Sequence, residues 1–498
     1  MAFELNYRRL AEAAVAIVAT ASLFYFGNGL DPCWPLMWFA PLPVLMFALR
    51  NKWWAAALVS MTALLLGNLN TWSYFTKTLS APQSAWLTIF AAAGAAFTAG
   101  VLLFRALVLR GAVWSGLMAL SATWVTSEYA RNVTSPHGSA GSLAYSQLNF
   151  LPFLQLASIT GPWGMSFVLL LFPAAVAIAL HLRQTSPIRA LWVTGAVLGV
   201  LAIVLIYGAV RLAIPQAQTV RVGLVTSDEK GNATVTDPGA DTERLFHDYA
   251  TEARRLSAKG AQAIVMPEKL GVTLQGKTAN TDALLQSVAD EAQVTIVAGV
   301  VRVDAPLKFN EARIYIPGSP LQRYDKQHML PPFESNLKPG TTLTVLPRPH
   351  EKWGVAICKD MDFDAPARLY GKAEIGLLLV PAWDFVVDGF WHGHIAVMRG
   401  VEDGFSIARA AKNGFLTVSD NRGRIVGEVA SGSAPFPTLL VDVPVAHAWT
   451  IYQLLGDWFA WLAIALLVLA LIKLTRLRGH ATTSSGRTNL PSPAKGTS

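Results

Sequence analysis

A single cysteine ends the apolar run Val355-Ala356-Ile357, and charge follows it at once in Cys358-Lys359-Asp360-Met361-Asp362. A thiol at the tip of a strand can act as a nucleophile, because the next backbone N–H can face a reacting carbonyl. Taken alone, Cys358 reads first as a small buried hydrophobe. A free thiol is also mostly protonated at neutrality, with an ordinary pKa of about 8.5, and needs a base or a cation beside it. Two other stretches offer both. Ile264-Val265-Met266-Pro267-Glu268 is a second apolar strand ending in a carboxylate, and Tyr324-Asp325-Lys326 supplies an ammonium, with Glu334 eight positions further on.

Side chains at strand ends need a sheet to hold them. From Thr219 onward the sequence alternates strands and helices: strands at 220–225, 263–266, 294–301, 312–316, 355–357 and 377–380, helices at 241–258, 280–291 and 391–403. Such alternation predicts a layered α/β domain. The strands are apolar on both faces, as in a sheet covered on each side.

The rest of the chain is of another kind. Of 498 residues 53% are hydrophobic and only 14% charged, too apolar for an ordinary soluble enzyme. Sixteen tryptophans fit the aromatic belts of membrane spans. Apolar runs long enough to cross a bilayer lie near 10–27, 34–50, 54–75, 85–109, 112–130, 163–182, 189–211 and 458–474, predicting eight spans. Seven later spans make the first a retained anchor rather than a cleaved signal, despite Ala19-Thr20-Ala21. The segment 152–164 is too short to span and is expected at the outer interface.

Basic residues gather in alternate loops and in the tail, which places both termini in the cytoplasm and residues 212–450 outside. The expected domains are a seven-span unit at 1–211, an extracytoplasmic catalytic unit at 212–450, an eighth span at 451–478 and a disordered cytoplasmic tail at 479–498.

A net charge of +8 invites a nucleic-acid reading, but the cations are scattered singly, so no nucleic acid is expected. Two cysteines, Cys33 and Cys358, make no disulfide framework. His392-Gly393-His394 is a weak metal pattern, and Asp360, Asp362 and Asp364 lack the glycine and final glutamate of a calcium loop. No metal and no cofactor are expected. Glu128 and Arg131, three apart on a helical face at the outer end of the fifth span, read as an ion pair or as substrate contacts.

The order Glu268, Lys326, Cys358 resembles the nitrilase, or carbon–nitrogen hydrolase, superfamily. With the spans, and with Glu128-Tyr129-Ala130-Arg131, Gln155-Leu156-Ala157-Ser158-Ile159-Thr160-Gly161, Met398-Arg399…Glu402, Arg409…Asn413-Gly414 and Gly456-Asp457-Trp458-Phe459, the chain looks like an apolipoprotein N-acyltransferase. That resemblance implies a multi-span α-helical membrane domain plus a nitrilase-like α-β-β-α sandwich, in a bacterial cytoplasmic (inner) membrane with the catalytic domain on the periplasmic side. It implies Glu268 as general base, Cys358 as nucleophile and Lys326 on the oxyanion. Glu334 would hold Lys326 and return a proton to the leaving group. A phospholipid would acylate Cys358 through a thioester, and the N-terminal amine of a diacylglyceryl-cysteine lipoprotein would accept the acyl chain. The alternatives are a membrane-tethered amidase using the same three residues and a non-catalytic scaffold. After the cysteine the family has an aromatic residue and then a glutamate; here stand Lys359 and Asp360, which places these two at the acceptor's approach.

Overall fold

The computed structural model describes residues 2–216, 218–228, 240–274 and 279–485. The first part is helical: α1 (Ala2–Gly27), α2 (Trp34–Met37), α3 (Leu42–Arg50), α4 (Trp53–Gly67), α5 (Gln83–Val108), α6 (Val113–Thr134), α7 (Leu151–Leu154), α8 (Ala157–Leu182) and α9 (Pro187–Ala213). Among the described residues six helices are long and apolar enough to cross a membrane: α1, α4 with the turn after it, α5, α8, α9 and the last helix of the chain. The predicted second span is shorter, because Pro35, Pro41 and Pro43 divide it into α2 and α3. The predicted fifth, α6, has 22 residues but carries Ser115, Ser121, Thr123, Thr126, Ser127 and Glu128. Of these Ser121 and Glu128 are buried and the others half-buried, on a helix that packs against α5, α8 and the last helix of the chain.

The segment expected at an outer interface is packed within the protein. Phe153 to Ser158 are buried, and α8 runs on from Ala157 through a kink at Gly161, where φ is +61°. A Cβ on Gly161 would lie 2.3 Å from Cε2 of Tyr452, so only glycine allows the helix to approach that ring.

The second part begins with β1 (Thr219–Val225), α10 (Ala240–Ala258), β2 (Ala263–Val265), β3 (Val272–Leu274), α11 (Ala279–Ala292), β4 (Thr295–Asp304), β5 (Leu307–Tyr315) and β6 (Gln322–Asp325). It continues with β7 (Thr344–Pro347), β8 (Lys352–Val355), α12 (Asp364–Lys372), β9 (Leu377–Trp383), α13 (Gly389–Asp403), β10 (Ser406–Lys412), β11 (Phe415–Ser419), β12 (Ile425–Ala430) and β13 (Thr438–Pro444). One sheet runs β13-β1-β2-β4-β5-β6 with β3 added beside β4; the other runs β12-β11-β10-β9-β8-β7. The sheets stack through Val222, Leu224, Val265 and Val297 on one side and Leu377, Leu379, Ala408 and Ala410 on the other. The outer face of the first sheet is covered by Leu245, Phe246, Tyr249 and Ala253 of α10 and Leu285 and Val288 of α11. The result is an α-β-β-α sandwich.

Helix α13 has two packed faces. Ala396 turns to the sheet core, while Ile395, Met398 and Val401, at helical spacing, pack with Tyr145, Phe153, Leu154 and Met165 of the helical part. The membrane-type bundle thereby covers the second sheet's outer layer. Beyond β13 come α14 (Ile451–Leu455) and α15 (Trp458–Ser485). The tail expected to be disordered from 479 is therefore helical to Ser485, and 486–498 lie outside the described residues.

Candidate active site

Glu268, Lys326 and Cys358 follow β2, β6 and β8 within a few residues, so three strand ends deliver them to one mouth of the sandwich. The strand expected at 355–357 ends earlier: β8 stops at Val355, and Ala356 still donates to Leu379 O before the chain turns. Cys358 takes φ +43°, a left-handed conformation that is strained for a residue with a Cβ and that recurs at functional turns. Its Sγ lies 3.4 Å from Trp383 O.

Lys326 is at the centre. Its Nζ lies 2.9 Å from Glu268 Oε1 and 2.8 Å from Glu334 Oε2, and all three residues are 2% exposed. Burial alone would lower the ammonium's pKa, but Glu268, Glu334 and Cys358 outweigh it, and Lys326 is held charged well above its ordinary value. Burial also acts on Glu334, yet Lys326 and Lys269 prevail and pull it down to about 2. The Cys358 thiol is pushed well up by burial and by Glu268, against the pull of Lys326 and Arg409. At rest Cys358 is a thiol, and any nucleophilic role for it requires loss of that proton.

Glu334 accepts from Lys326, Lys269, the Asn310 amide and the N–H of Leu330. Those bonds suit the expected task of holding Lys326. They do not suit returning a proton, because a carboxylate this well paired carries none to give.

Four participants are not among the expected site residues. Asn310, on β5, donates to both Glu268 and Glu334. Lys269, next to Glu268, pairs with Glu334. Arg409 of β10 grips both carboxylate oxygens of Asp384 in a fully buried fork, and both groups act on the Cys358 thiol. Arg409 stood in a quoted motif, and Asn310 is a buried amide in a strand; Asp384 shows only as the first acid after β9.

Four other predicted contacts require correction. Asp360, expected at the acceptor's approach, is fully buried and accepts from Tyr324 Oη at 2.8 Å and from the N–H groups of Ile357, Gln327 and His328 at 2.9–3.1 Å. It ties the nucleophile turn to the chain that follows Lys326. Lys359 is 3% exposed and paired with Asp362, so its charge faces the helical part rather than an open approach. Glu128 does not pair with Arg131 among the described residues. It is 3% exposed and accepts from Leu143 N at 2.7 Å and Ser142 Oγ at 3.2 Å. A loop folded back over the helix end outcompetes the neighbour three residues on. Arg131 instead lies against Gly141, 3.7 Å from where a Cβ would stand. Of the two histidines, His392 sits between Asp362 and Asp388, while His394 Nδ1 is 2.8 Å from Phe390 O.

Residues 20–175 match the family model of the apolipoprotein N-acyltransferase N-terminal domain, and residues 238–434 match that of carbon–nitrogen hydrolases. The chain belongs to the apolipoprotein N-acyltransferase family. A member from Geobacter metallireducens is 26% identical over 388 residues, 70% of this chain and 72% of the relative. Another, from Bradyrhizobium diazoefficiens, is 26% identical over 443 residues, covering 80% and 81% respectively. A crystal structure of an amidase from Nesterenkonia sp. is 20% identical with a TM-score of 0.40, covering 47% of this chain and 94% of that one. With six apolar helices joined to a nitrilase-like domain, this family member is a bacterial membrane protein.

Proposed function

We propose that the chain is a phospholipid-dependent N-acyltransferase of lipoproteins working through a thioester on Cys358. The observation that carries this reading is the buried Glu268–Lys326–Glu334 cluster at the mouth where Cys358 turns, in a domain seated on apolar helices. Cys358 Sγ attacks the ester carbonyl of a phospholipid as Glu268 takes the thiol proton. Lys326 and the backbone N–H of Lys359 face the oxyanion. The C–O bond breaks, the departing alcohol takes the proton from Glu268, and the acyl group remains as thioester. In the second step the α-amine of a diacylglyceryl-cysteine attacks, Glu268 takes its proton, and the C–S bond breaks as Glu268 passes that proton to sulfur, returning the thiol. Glu334 stays ionised throughout and holds Lys326.

A membrane setting suits both halves. The donor's acyl chain can remain in lipid while its ester reaches the thiol, and the same surroundings keep water from the thioester. The named relatives favour transfer over hydrolysis. The orientation proposed has eight segments within the membrane, α2 with α3 and α6 included, and the sandwich on the periplasmic face of the inner membrane.

The deciding experiment depletes the chain in its host and analyses lipoprotein N-termini by mass spectrometry. Diacylated N-termini with a free amine should accumulate, and wild type should restore triacylation where Cys358→Ser does not. Unchanged triacylation would remove the reading, as would an acyl adduct mapping to Cys33 when the purified protein meets phospholipid alone.

A further inference from the structure

The turn carrying the nucleophile is fastened to the helical part at several points. Ser139, in the loop after α6, donates through both N and Oγ to Asp362 O, at 3.0 and 2.8 Å. Its neighbour Gly138 has φ +54°, and a Cβ there would stand 2.5 Å from that same oxygen. Lys359 Nζ lies 3.2 Å from Asp362 Oδ2 and 3.3 Å from His137 Nδ1, in the same loop. On its other oxygen Asp362 meets His392 Nδ1 at 3.4 Å, and His392 Nε2 meets Asp388 Oδ2 at 3.3 Å. The hydroxyl of Tyr74, from the loop after α4, donates to that Asp388 oxygen at 2.8 Å.

Two loops of the helical part therefore end on one line of alternating charge: Lys359, Asp362, His392, Asp388. Lys359 and Asp362 are 3% and 2% exposed, so their pairing is shielded from water. His137 is held neutral, brought down to about 4 by burial and by Lys359, and can accept from that ammonium. In His392 burial is outweighed by Asp388 and Asp362, which bring it up to about 10, so both ring nitrogens donate.

We propose that this line is a clasp, and that Lys359 and Asp362 are positioning residues through which the helical part holds the Cys358 turn in register with Glu268 and Lys326. The side chain of Lys359 then acts through the backbone it steadies, and only the backbone N–H of that residue meets the substrate. The clasp stands on geometry alone, while its effect on acylation rests on the acyl-transfer reading above.

The test uses the full chain in detergent with Lys359→Met, Lys359→Arg and Gly138→Ala. The last variant alters no charge and pushes only on Asp362 O. One readout is acyl–Cys358 formation at graded phospholipid; the other is iodoacetamide alkylation of Cys358, which needs no acyl donor. A displacement of about 1 Å can cost on the order of 100-fold in rate. Lys359→Met and Gly138→Ala should therefore lose roughly that much maximal acylation rate while half-saturating phospholipid stays put. Lys359→Arg should recover to within about tenfold of wild type. Alkylation should slow in both damaged variants, as the thiol leaves Glu268. Should Gly138→Ala fail to fold, Asp362→Asn is read in its place, with the same expectation.

A wild-type maximal rate in Lys359→Met overturns the clasp. So does a raised half-saturation at unchanged maximal rate, which would make Lys359 a substrate contact. If wild type forms no acyl adduct, the transfer reading falls instead, and wild-type alkylation in both damaged variants would still sink the clasp.

Discussion

Replacing Lys326 by methionine tests the site more severely than removing either carboxylate. One ammonium, 2.8–2.9 Å from two carboxylates, is shared by both in a place with little water, and Lys269 supplies the second positive charge at Glu334. At an effective dielectric of about 20, each such contact is a gross attraction on the order of 6 kcal/mol, offset in part by the cost of burying the ions. Without Lys326, Glu268 and Glu334 keep Asn310, the Leu330 N–H and a single cation, Lys269, between them. Two carboxylates sharing a site favour binding a proton. A proton resident on Glu268 removes the base, and the missing ammonium removes an oxyanion donor, which alone costs about 2.7–4 kcal/mol, or roughly 100- to 1,000-fold. Both losses fall on one step and should not multiply. The double variant Lys326→Met/Glu268→Gln should be about as slow as the slower single one. The assay is intact-mass detection of acyl–Cys358 over time in a single turnover with phospholipid. Lys326→Met within about tenfold of wild type would refute the oxyanion role. A double variant slowed by the product of its singles would show that Lys326 and Glu268 act independently.

Glu334 gives a pH expectation. Its folded pKa is depressed from 4.5 to about 2, so its stabilisation is complete above about 4.5 and is lost as pH falls toward 2. At about 1.4 kcal/mol per pH unit this amounts to about 3 kcal/mol. Thermal unfolding followed into acid should show a flatter limb for Glu334→Gln; an unchanged limb would count against the pairing. Arg409→Met strands the Asp384 carboxylate and should cost about 3–5 kcal/mol of stability, with part regained in Arg409→Met/Asp384→Leu. Denaturant titration checks this, and no recovery in the double variant would mean that the two side chains are not coupled. Gly161→Ala forces a Cβ onto the Tyr452 ring and should lower the melting temperature in detergent, whereas an equal value would show that the kink yields freely.

The meeting of Glu268, Lys326 and Cys358 at one mouth was legible because buried strands ending in charge have few places to end. Glu268 and Cys358 each close an apolar run, and such a run must open at a sheet's mouth. Asn310 and Asp384 were hidden because their partners lie 42 and 25 residues away, at distances set by sheet order alone. The same blindness produced the errors. Spacing on a helix offered Arg131 to Glu128, but a backbone N–H fifteen residues on claimed the carboxylate. Spacing after the cysteine placed Asp360 near a substrate, whereas the chain after Lys326 returns to consume its lone pairs.

The antiparallel pairing of β1 with β13 sets Thr219 opposite Pro444 and Val225 opposite Thr438. The links to α9 and to α14 with α15 therefore attach at the same end of one strand pair. A pull that spreads those links loads the pair like a zipper, one hydrogen bond at a time, rather than in shear across all of them together. Strand pairs resist peeling far less than sliding. Helices α9 and α15 both pack on α8, which keeps the two pulling points close. The sandwich's mechanical weak point is thus guarded from outside it, by helices that contribute no strand to either sheet.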